Sequence, residues 1–376
     1  MLLGFGGRNF YSFREDFDVS LAKKREVLSV LGIKGANASG KTNVIRALSF
    51  ISSFMFDSFS QFHPENGMFC KSFFDSKEPT LLYIHFKKDG IEYKYEMGFT
   101  KEALLREKLS KKESRWTTML TVENQKIVEC TKSLAKIKTI NIARDNLSII
   151  SLSHQYGFDE LKVFYDFASN ISSNVTYSGK RTNDEHFINY REISKIYFED
   201  EELLNRIEHF LSVADTGISK IKIREVEDKM TGNLTYEPFF LHTFEDKTFF
   251  VHYHDESNGT KMLYRQLAAY FTALQFGSVI AYDEFDIGLH PDIALMLIDL
   301  FENNEYGAQL IFTSHYTEVI DKLGKYRLIF VNKEDNESYL YRLDEIPGEI
   351  LRPDRSIIPA YNTHKIGGRP KVKAYG

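Results

Sequence analysis

The spacing of apolar positions changes several times along this chain. "MLLGFGGRNFYSF" reads as an N-terminal strand with a turn at Gly6-Gly7. In "DFDVSLA", Phe17, Val19 and Leu21 alternate with polar neighbours, which predicts a second, half-buried strand. "VLSVLGIKG" is mostly apolar and ends on glycine, as a strand buried on both faces does. Val44, Ile45, Ala47, Leu48, Ile51 and Phe54 then recur at helical spacing.

From Leu81 the period returns to two. "TLLYIHFKKDGIEYKYEMGF" predicts a hairpin about Lys88-Asp89-Gly90, and "TTMLTVENQKIVEC" predicts another. Residues 147–215 are mainly helical: Leu161, Phe164, Tyr165 and Ala168 share one face, and Leu203, Ile207, Phe210 and Leu211 another. "SSNVTYSGKRTNDE" between them is polar and predicts a loop. Residues 218–254 alternate again. From residue 257 the order is helix, apolar strand, helix, apolar strand, helix, and two closing strands in "YRLIFVNKE" and "SYLYRLDEI". That is an α/β order. The expected division is a discontinuous nucleotide-binding core at 1–58 and 218–350, an antiparallel β lobe at 59–146, a helical insert at 147–217 and a basic tail at 351–376. No heptad pattern persists, so no long coiled coil is expected.

Composition narrows this picture only a little. In 376 residues there are 48 basic and 53 acidic side chains, a formal charge of −5, which argues against a protein that coats nucleic acid along its whole surface. A local basic face stays open, so nucleic acid remains a candidate partner. Cys70 and Cys130 have no CxxC context, and a reducing cytosol is the expected location. No secretory leader and no membrane span are read in the sequence.

The chemistry lies in four separated stretches. Gly35-Ala36-Asn37-Ala38-Ser39-Gly40-Lys41-Thr42, followed by Asn43, fits the phosphate-loop pattern G-x-x-x-x-G-K-[ST]. It stands between a predicted strand and a predicted helix, the context in which backbone N–H groups cradle phosphates. ATP and Mg²⁺ are therefore the expected ligands. "GSVIAYDEFDIGLHP" carries Asp283 and Glu284 at the end of an apolar strand. At such a tip Asp283 can hold Mg²⁺ beside the Thr42 hydroxyl, and Glu284 can polarise the attacking water. Two acids capping a surface strand would be the plainer reading, but the preceding phosphate loop weighs against it. "AQLIFTSH" ends at His315, placed to reach a γ-phosphate. Ser257-Asn258-Gly259-Thr260 precedes a helix with Leu263, Leu267, Tyr270, Phe271 and Leu274 on its apolar side. Such a turn suits a phosphate; taken alone it reads as an ordinary N-cap.

Together these motifs resemble the ABC-type ATPases of SMC-like and RecF-like proteins. "ESNGTK" is similar to a transporter signature that has lost its first glycine and its glutamine. With "RNFYSF", "GANASGKTN", "YDEFDIGLHP", "FTSH" and "YNTHKIGGRPKV", it is closer to the stand-alone AAA/ABC ATPases of bacterial abortive-infection and phage-defence operons, the RloA-type and AriA-type proteins. The resemblance implies an ABC-type P-loop head with an antiparallel β lobe and a helical insert. It implies a head-to-tail homodimer, with a higher oligomer left open. Each ATP would lie between Gly35–Thr42 of one chain and Ser257–Gly259 of the other, with Gly288–Pro291 crossing the interface. It also implies a Mg²⁺-binding glutamine, for which Gln155 is the candidate, although a surface glutamine near a helix start is the plainer reading. The implied catalytic groups are Lys41, Glu284 and His315. A separately encoded nuclease or toxin effector and a phage trigger protein are the implied partners.

Other readings remain open. A RecF-like repair or chromosome-maintenance clamp fits the fold, whereas the long insert and the altered signature make a transporter subunit a poor fit. Arg181 and His186 fit the short R-x4-H ribonuclease pattern, which is common by chance. "FEDEELL" reads as an acidic first helical turn. Lys365, Arg369, Lys371 and Lys373 form a tail that is either a solvated end or a docking site for an acidic partner.

Overall fold

A computed structural model describes residues 1–23, 26–176, 179–180, 189–214, 216–227, 232–245, 247–346, 351 and 355–370. Two compact units emerge. The first comprises Met1–Lys180, Gly277–Phe285 and Phe301–Gly376, and the second Arg181–Phe276 and Asp286–Leu300.

The first unit holds two sheets. A seven-stranded antiparallel sheet runs, in spatial order, Lys126–Cys130, Trp116–Glu123, Leu104–Lys112, Ile91–Phe99, Thr80–Lys88, Leu2–Arg8 and Phe17–Ser20. Its hairpins turn where the sequence predicts: Asp89 and Gly90 have φ of 50° and 83°, and Asn124 and Gln125 have φ of 45° and 62°. Gly6 and Gly7 depart from expectation. They make no turn but lie inside the strand Leu2–Arg8. A Cβ on Gly6 would stand 2.2 Å from the Phe17 carbonyl oxygen, and one on Gly7 2.3 Å from that of Leu81. Close strand approach, not reversal, explains both glycines.

The six-stranded sheet runs Ile171–Ser173, Val279–Tyr282, Gln309–Thr313, Val30–Gly35, Leu328–Glu334 and Glu337–Arg342. Its first five strands are parallel, and the last pairs antiparallel. The strands Val30–Gly35, Val279–Tyr282 and Gln309–Thr313 are buried along their whole length, matching their unbroken apolar runs.

The helix Lys41–Gln61 packs against both sheets and against the helices Ile149–Gln155 and Lys162–Ser169. Phe50, Phe54 and Phe62 are buried, with ring centroids 5.6 to 6.2 Å apart. Truncating one such ring costs about 3–5 kcal/mol, so this helix is a fixed post for the loop at its start.

In the second unit a three-stranded antiparallel sheet, Ile218–Glu227, Leu234–Phe244 and Lys247–His252, packs one face on the helices Tyr190–Glu199 and Glu201–Val213. Those helices also meet the helix Asn258–Phe276. Tyr197 donates to the Tyr264 carbonyl at 2.7 Å inside this core. The residues 218–276, read from sequence within the core domain, fall here, whereas the helices at 149–169 belong to the first unit. The Asn258–Phe276 helix begins three residues before the Lys261 start expected from its apolar face, because Ser257 caps it. Among the described residues, no helix is long and apolar enough to cross a membrane.

Candidate functional site

The phosphate loop joins the buried strand Val30–Gly35 to the helix beginning at Lys41. Gly40 stands at φ 111°, and a Cβ there would lie 2.7 Å from Ser338 Oγ and 2.8 Å from Ser12 Oγ. Only glycine fits that turn. Gly35 is as tightly enclosed, with a virtual Cβ 2.4 Å from the Val331 carbonyl and 2.5 Å from Ser39 Oγ. Lys41 is 7% exposed, and its ammonium donates to the Gly35 and Ala36 carbonyls at 2.9 Å each. The cation is thereby held inside the curl of the loop. These features fit a triphosphate: a glycine-lined cradle, a helix N-terminus and one cation.

Ser338, Ser12 and Arg46, which sequence reasoning missed, hold the loop from outside together with Asn43. Ser338 Oγ donates to the Ser39 carbonyl at 2.7 Å, and the Ser338 N–H donates to the Ser12 carbonyl at 2.7 Å. Asn43 donates its amide to Ser12 Oγ at 2.9 Å. Arg46 bonds Asn43 Oδ1 at 3.2 Å and lies 4.3 Å from the centre of the Tyr11 ring. The N-terminal "RNFYSF" stretch therefore braces the loop from one side and Ser338 from the other. Lys34, 2% exposed, donates to the Tyr316 carbonyl at 2.9 Å and ties the loop strand to the segment after His315.

The acid pair is fixed from both neighbouring strands. Asp283 is 2% exposed. Its Oδ2 accepts from the Thr42 hydroxyl and its Oδ1 from the Thr313 hydroxyl, both at 2.7 Å. Thr313 Oγ1 also accepts from the Glu284 N–H at 2.7 Å. On the other side the Asn174 amide clamps the Asp283 backbone, accepting from its N–H at 2.7 Å and donating to its carbonyl at 2.8 Å. Asn174 follows the edge strand Ile171–Ser173, which pairs in parallel with Val279–Tyr282. Its sequence signal was only a polar residue in a stretch that reads as loop.

Glu284 sits at φ 51°, a backbone state that costs a non-glycine residue on the order of 1–3 kcal/mol and that clusters at functional sites. Its Oε1 lies 4.0 Å from His315 Nε2, too far for a direct hydrogen bond, and both side chains are partly open to solvent. An acid and an imidazole therefore stand near one another past the ends of neighbouring strands, next to the Asp283 that meets Thr42.

Thr42 and Asp283 suit Mg²⁺. This ion takes one or two protein oxygens and completes its shell with phosphate and water. Bound there, Mg²⁺ would neutralise phosphate charge. Among the described residues no group of three His, Cys, Asp or Glu side chains could hold a metal. Gln155 is not brought to this place. It is exposed at the end of the helix Ile149–Gln155, whose Ser151 bonds Phe56 and Phe59 backbone groups. Phe56 lies fourteen residues past Thr42 on one helix, roughly 20 Å away at 1.5 Å per residue. Gln155 is the last residue of this helix and is exposed there, on a stretch packed well along Lys41–Gln61 from Thr42. Arg181 and His186 lie outside the described residues.

The second unit carries the other predicted motif. Ser257 Oγ accepts from the Thr260 N–H at 3.1 Å and lies 2.9 Å from Thr260 Oγ1, so it caps the helix Asn258–Phe276. Ser257 and Asn258 are exposed. A Cβ on Gly259 would stand 3.0 Å from the Gly288 carbonyl, so this turn packs on the Gly288–Pro291 turn of the same unit. His290 is largely exposed, 3.4 Å from the Asp292 carboxylate. The cap is thus both a plain N-cap and an open helix N-terminus.

A family model described as "AAA domain, putative AbiEii toxin, Type IV TA system" matches residues 30–321. The chain belongs to this family. The matched segment opens on the phosphate-loop strand and closes just past His315, so all four motifs lie within it. Among solved structures, the Smc head bound to the C-winged helix domain of ScpA is 14% identical, with 92% of this chain and 99% of that one covered at a TM-score of 0.55. The SMC head domain from Thermotoga maritima is 15% identical, with 91% and 98% covered at 0.45. Among curated proteins none matches. The expected fold class, an ABC-type P-loop head with an antiparallel lobe, is thus borne out, since the chain shares the fold of the ScpA-bound Smc head.

Proposed function

We propose that this AAA-family ATPase binds ATP and Mg²⁺ at Gly35–Asn43 and closes head to tail on a second copy through Ser257–Gly259, and that its closed state is read by a separately encoded effector in anti-phage defence. The observation that carries the reading is the chain Thr42–Asp283–Thr313–Glu284, in which one hydroxyl links the metal-side carboxylate to the backbone of the candidate base. In this reading Lys41 neutralises phosphate charge, Asn37, Ser39 and Gly40 supply backbone to the cradle, and Glu284 takes the proton of the attacking water. His315 meets the same water or the γ-phosphate. The exposed Ser257 and Asn258 and the partly buried Gly259 offer N–H groups to the ATP of the other copy.

The family description supports defence. The fold supports a second reading, a RecF-like or SMC-like maintenance ATPase with a docked partner, because the solved Smc head is bound to a ScpA domain. One experiment tests the mechanism common to both. Purified Glu284→Gln is expected to bind ATP, stop turning it over and scatter light as a dimer with ATP and Mg²⁺, whereas Lys41→Ala stays monomeric. Wild-type turnover by Glu284→Gln, or a monomer at saturating ATP, defeats the reading. Phage challenge of cells carrying the gene with its neighbours then separates the two: protection lost in Lys41→Ala supports defence, and unaltered plaque counts with sensitivity to DNA damage support maintenance.

A further inference from the structure

The three-stranded sheet of the second unit is apolar on one face only. Cross-strand partners place Ile221, Phe240 and Val251 together, and these face the helices; Ile221 and Phe240 are buried. The opposite face is built by the next set of partners: Lys222 with Phe239 and His252, and Lys220 with Leu241 and Phe250. Arg224 continues this row opposite Glu237. Lys220, Lys222 and Arg224 are all exposed, and Phe250 is 50% exposed.

Aromatics and cations on this face are already in register. The Arg224 guanidinium lies 4.5 Å from the Phe239 ring centre, and the Lys222 ammonium 5.8 Å from that of Phe250. The Phe239 ring also meets the His252 ring edge-on at 5.1 Å. The one carboxylate of this cluster is engaged elsewhere: Glu237 accepts from Arg191 at 2.6 Å and from Tyr190 at 3.0 Å and lies 3.2 Å from His252 Nε2. Three cations thus share a face with the half-exposed Phe250 ring and the partly buried Phe239 ring, on a chain whose net charge is −5.

We propose that this face binds single-stranded nucleic acid. Unstacked bases would lie on Phe250 and Phe239, and the backbone phosphates would run along Lys220, Lys222 and Arg224. The charge favours this occupant over an apolar peptide, because a row of three cations complements a phosphate chain and the rings present flat faces to bases of any sequence. A duplex offers no free base faces to such rings. The chemistry serves DNA and RNA strands alike, with the 2′-hydroxyl as the only discriminator.

The test titrates the full chain, without nucleotide, into fluorescein-labelled oligodeoxyuridylate or oligouridylate of about 20 nucleotides and follows anisotropy. Omitting ATP keeps the outcome independent of the ATPase reading. Binding to either strand is expected, and the stronger of the two identifies the sugar preferred. Phe250→Ala should weaken it by roughly tenfold, and Lys222→Ala should lower the salt slope by about 0.7. Phe250 is half exposed, so its variant is expected to keep the wild-type circular dichroism spectrum and ATP turnover. If that variant fails to fold, Lys222→Ala and Arg224→Ala carry the test. No anisotropy change at about 50 mM salt, equal binding of a duplex of the same length, or unaltered affinity in the variants overturns the proposal. Failure of the strands to bind, together with loss of a specific protein contact in Phe250→Ala, would make this a protein-docking face instead.

Discussion

Thr42 and Asp283 are 241 residues apart in sequence, yet the hydroxyl of one donates to the carboxylate of the other at 2.7 Å. The second carboxylate oxygen is held by Thr313, whose own oxygen receives the Glu284 N–H. One threonine hydroxyl therefore serves two acids. Thr313→Val keeps the shape and removes that atom. It leaves the Glu284 N–H without this acceptor and the buried Asp283 with one donor fewer, a cost of about 1–3 kcal/mol. ATP turnover is expected to fall by at least about tenfold, since about 1.4 kcal/mol is a factor of ten. The far-UV circular dichroism spectrum should stay wild-type. Steady-state phosphate release decides it, and wild-type turnover in Thr313→Val would remove the relay.

Asn174 acts through Asp283 and not on substrate, so it is a positioning residue. Its amide makes two bonds to one residue of the strand tip. Asn174→Asp keeps the acceptor for the Asp283 N–H but sets a carboxylate oxygen against the Asp283 carbonyl. The expected result is a lower kcat with little change in the affinity for ATP, and a melting temperature a few degrees lower. Asn174→Ala should lose both bonds and melt lower still. Equal melting of Asn174→Asp and the wild type would show that the clamp carries no strain.

How much of this could be read beforehand depends on distance along the chain. Gly35–Thr42, Asp283-Glu284 and His315 were legible because each is a local pattern at the end of an apolar strand, and parallel strands bring such ends together. Ser12, Asn174, Thr313 and Ser338 were not. Each works through one hydroxyl or amide aimed at a group far along the chain or on a separate strand, and no local spacing encodes that aim. Gln155 was named from the resemblance alone, against the reading of a surface glutamine near a helix start; the Ser148 cap does start a helix there, and packing on Phe56 places that helix well along Lys41–Gln61. Gly6-Gly7 looked like a turn because sequence cannot separate glycine chosen for φ from glycine chosen for close approach. The sheet fold was legible throughout the two hairpins, where period and turn residues agree.

Gly40 offers a test of the loop's shape. Ala at this position meets two independent obstacles: a backbone at φ 111°, and serine oxygens at 2.7 and 2.8 Å from its methyl. Gly40→Ala is expected to lose ATP binding by isothermal titration and to melt several degrees below the wild type. Adding Ser338→Gly removes one of the two contacts but not the backbone strain, and it also deletes the bond to the Ser39 carbonyl. The double variant should therefore recover only part of the melting temperature and none of the ATP affinity. Full recovery of binding would show that the methyl–serine clash alone shapes the loop.

Glu107 gives the first unit a pH dependence separate from catalysis. Its side chain is fully buried, and its oxygens accept from the Tyr95 hydroxyl at 2.8 Å, the Ser148 hydroxyl at 2.5 Å and the Ile149 N–H at 2.9 Å. Burial pushes its pKa up to about 7, and the three donors hold it from rising further. The folded pKa is above the unfolded value, so between about 4.5 and 7 the folded chain binds more protons than the unfolded one. Stability from this group is therefore full below that window and is lost as pH rises through it. The loss is on the order of 3 kcal/mol, at about 1.4 kcal/mol for each pH unit that separates the two values. Glu107→Gln cannot ionise and still offers an acceptor, so its melting temperature should change less between about pH 5 and pH 8 than that of the wild type. The melting difference between the two proteins is the readout. It should favour the variant increasingly with rising pH, and a difference that stays constant would mean that Glu107 does not titrate in the fold.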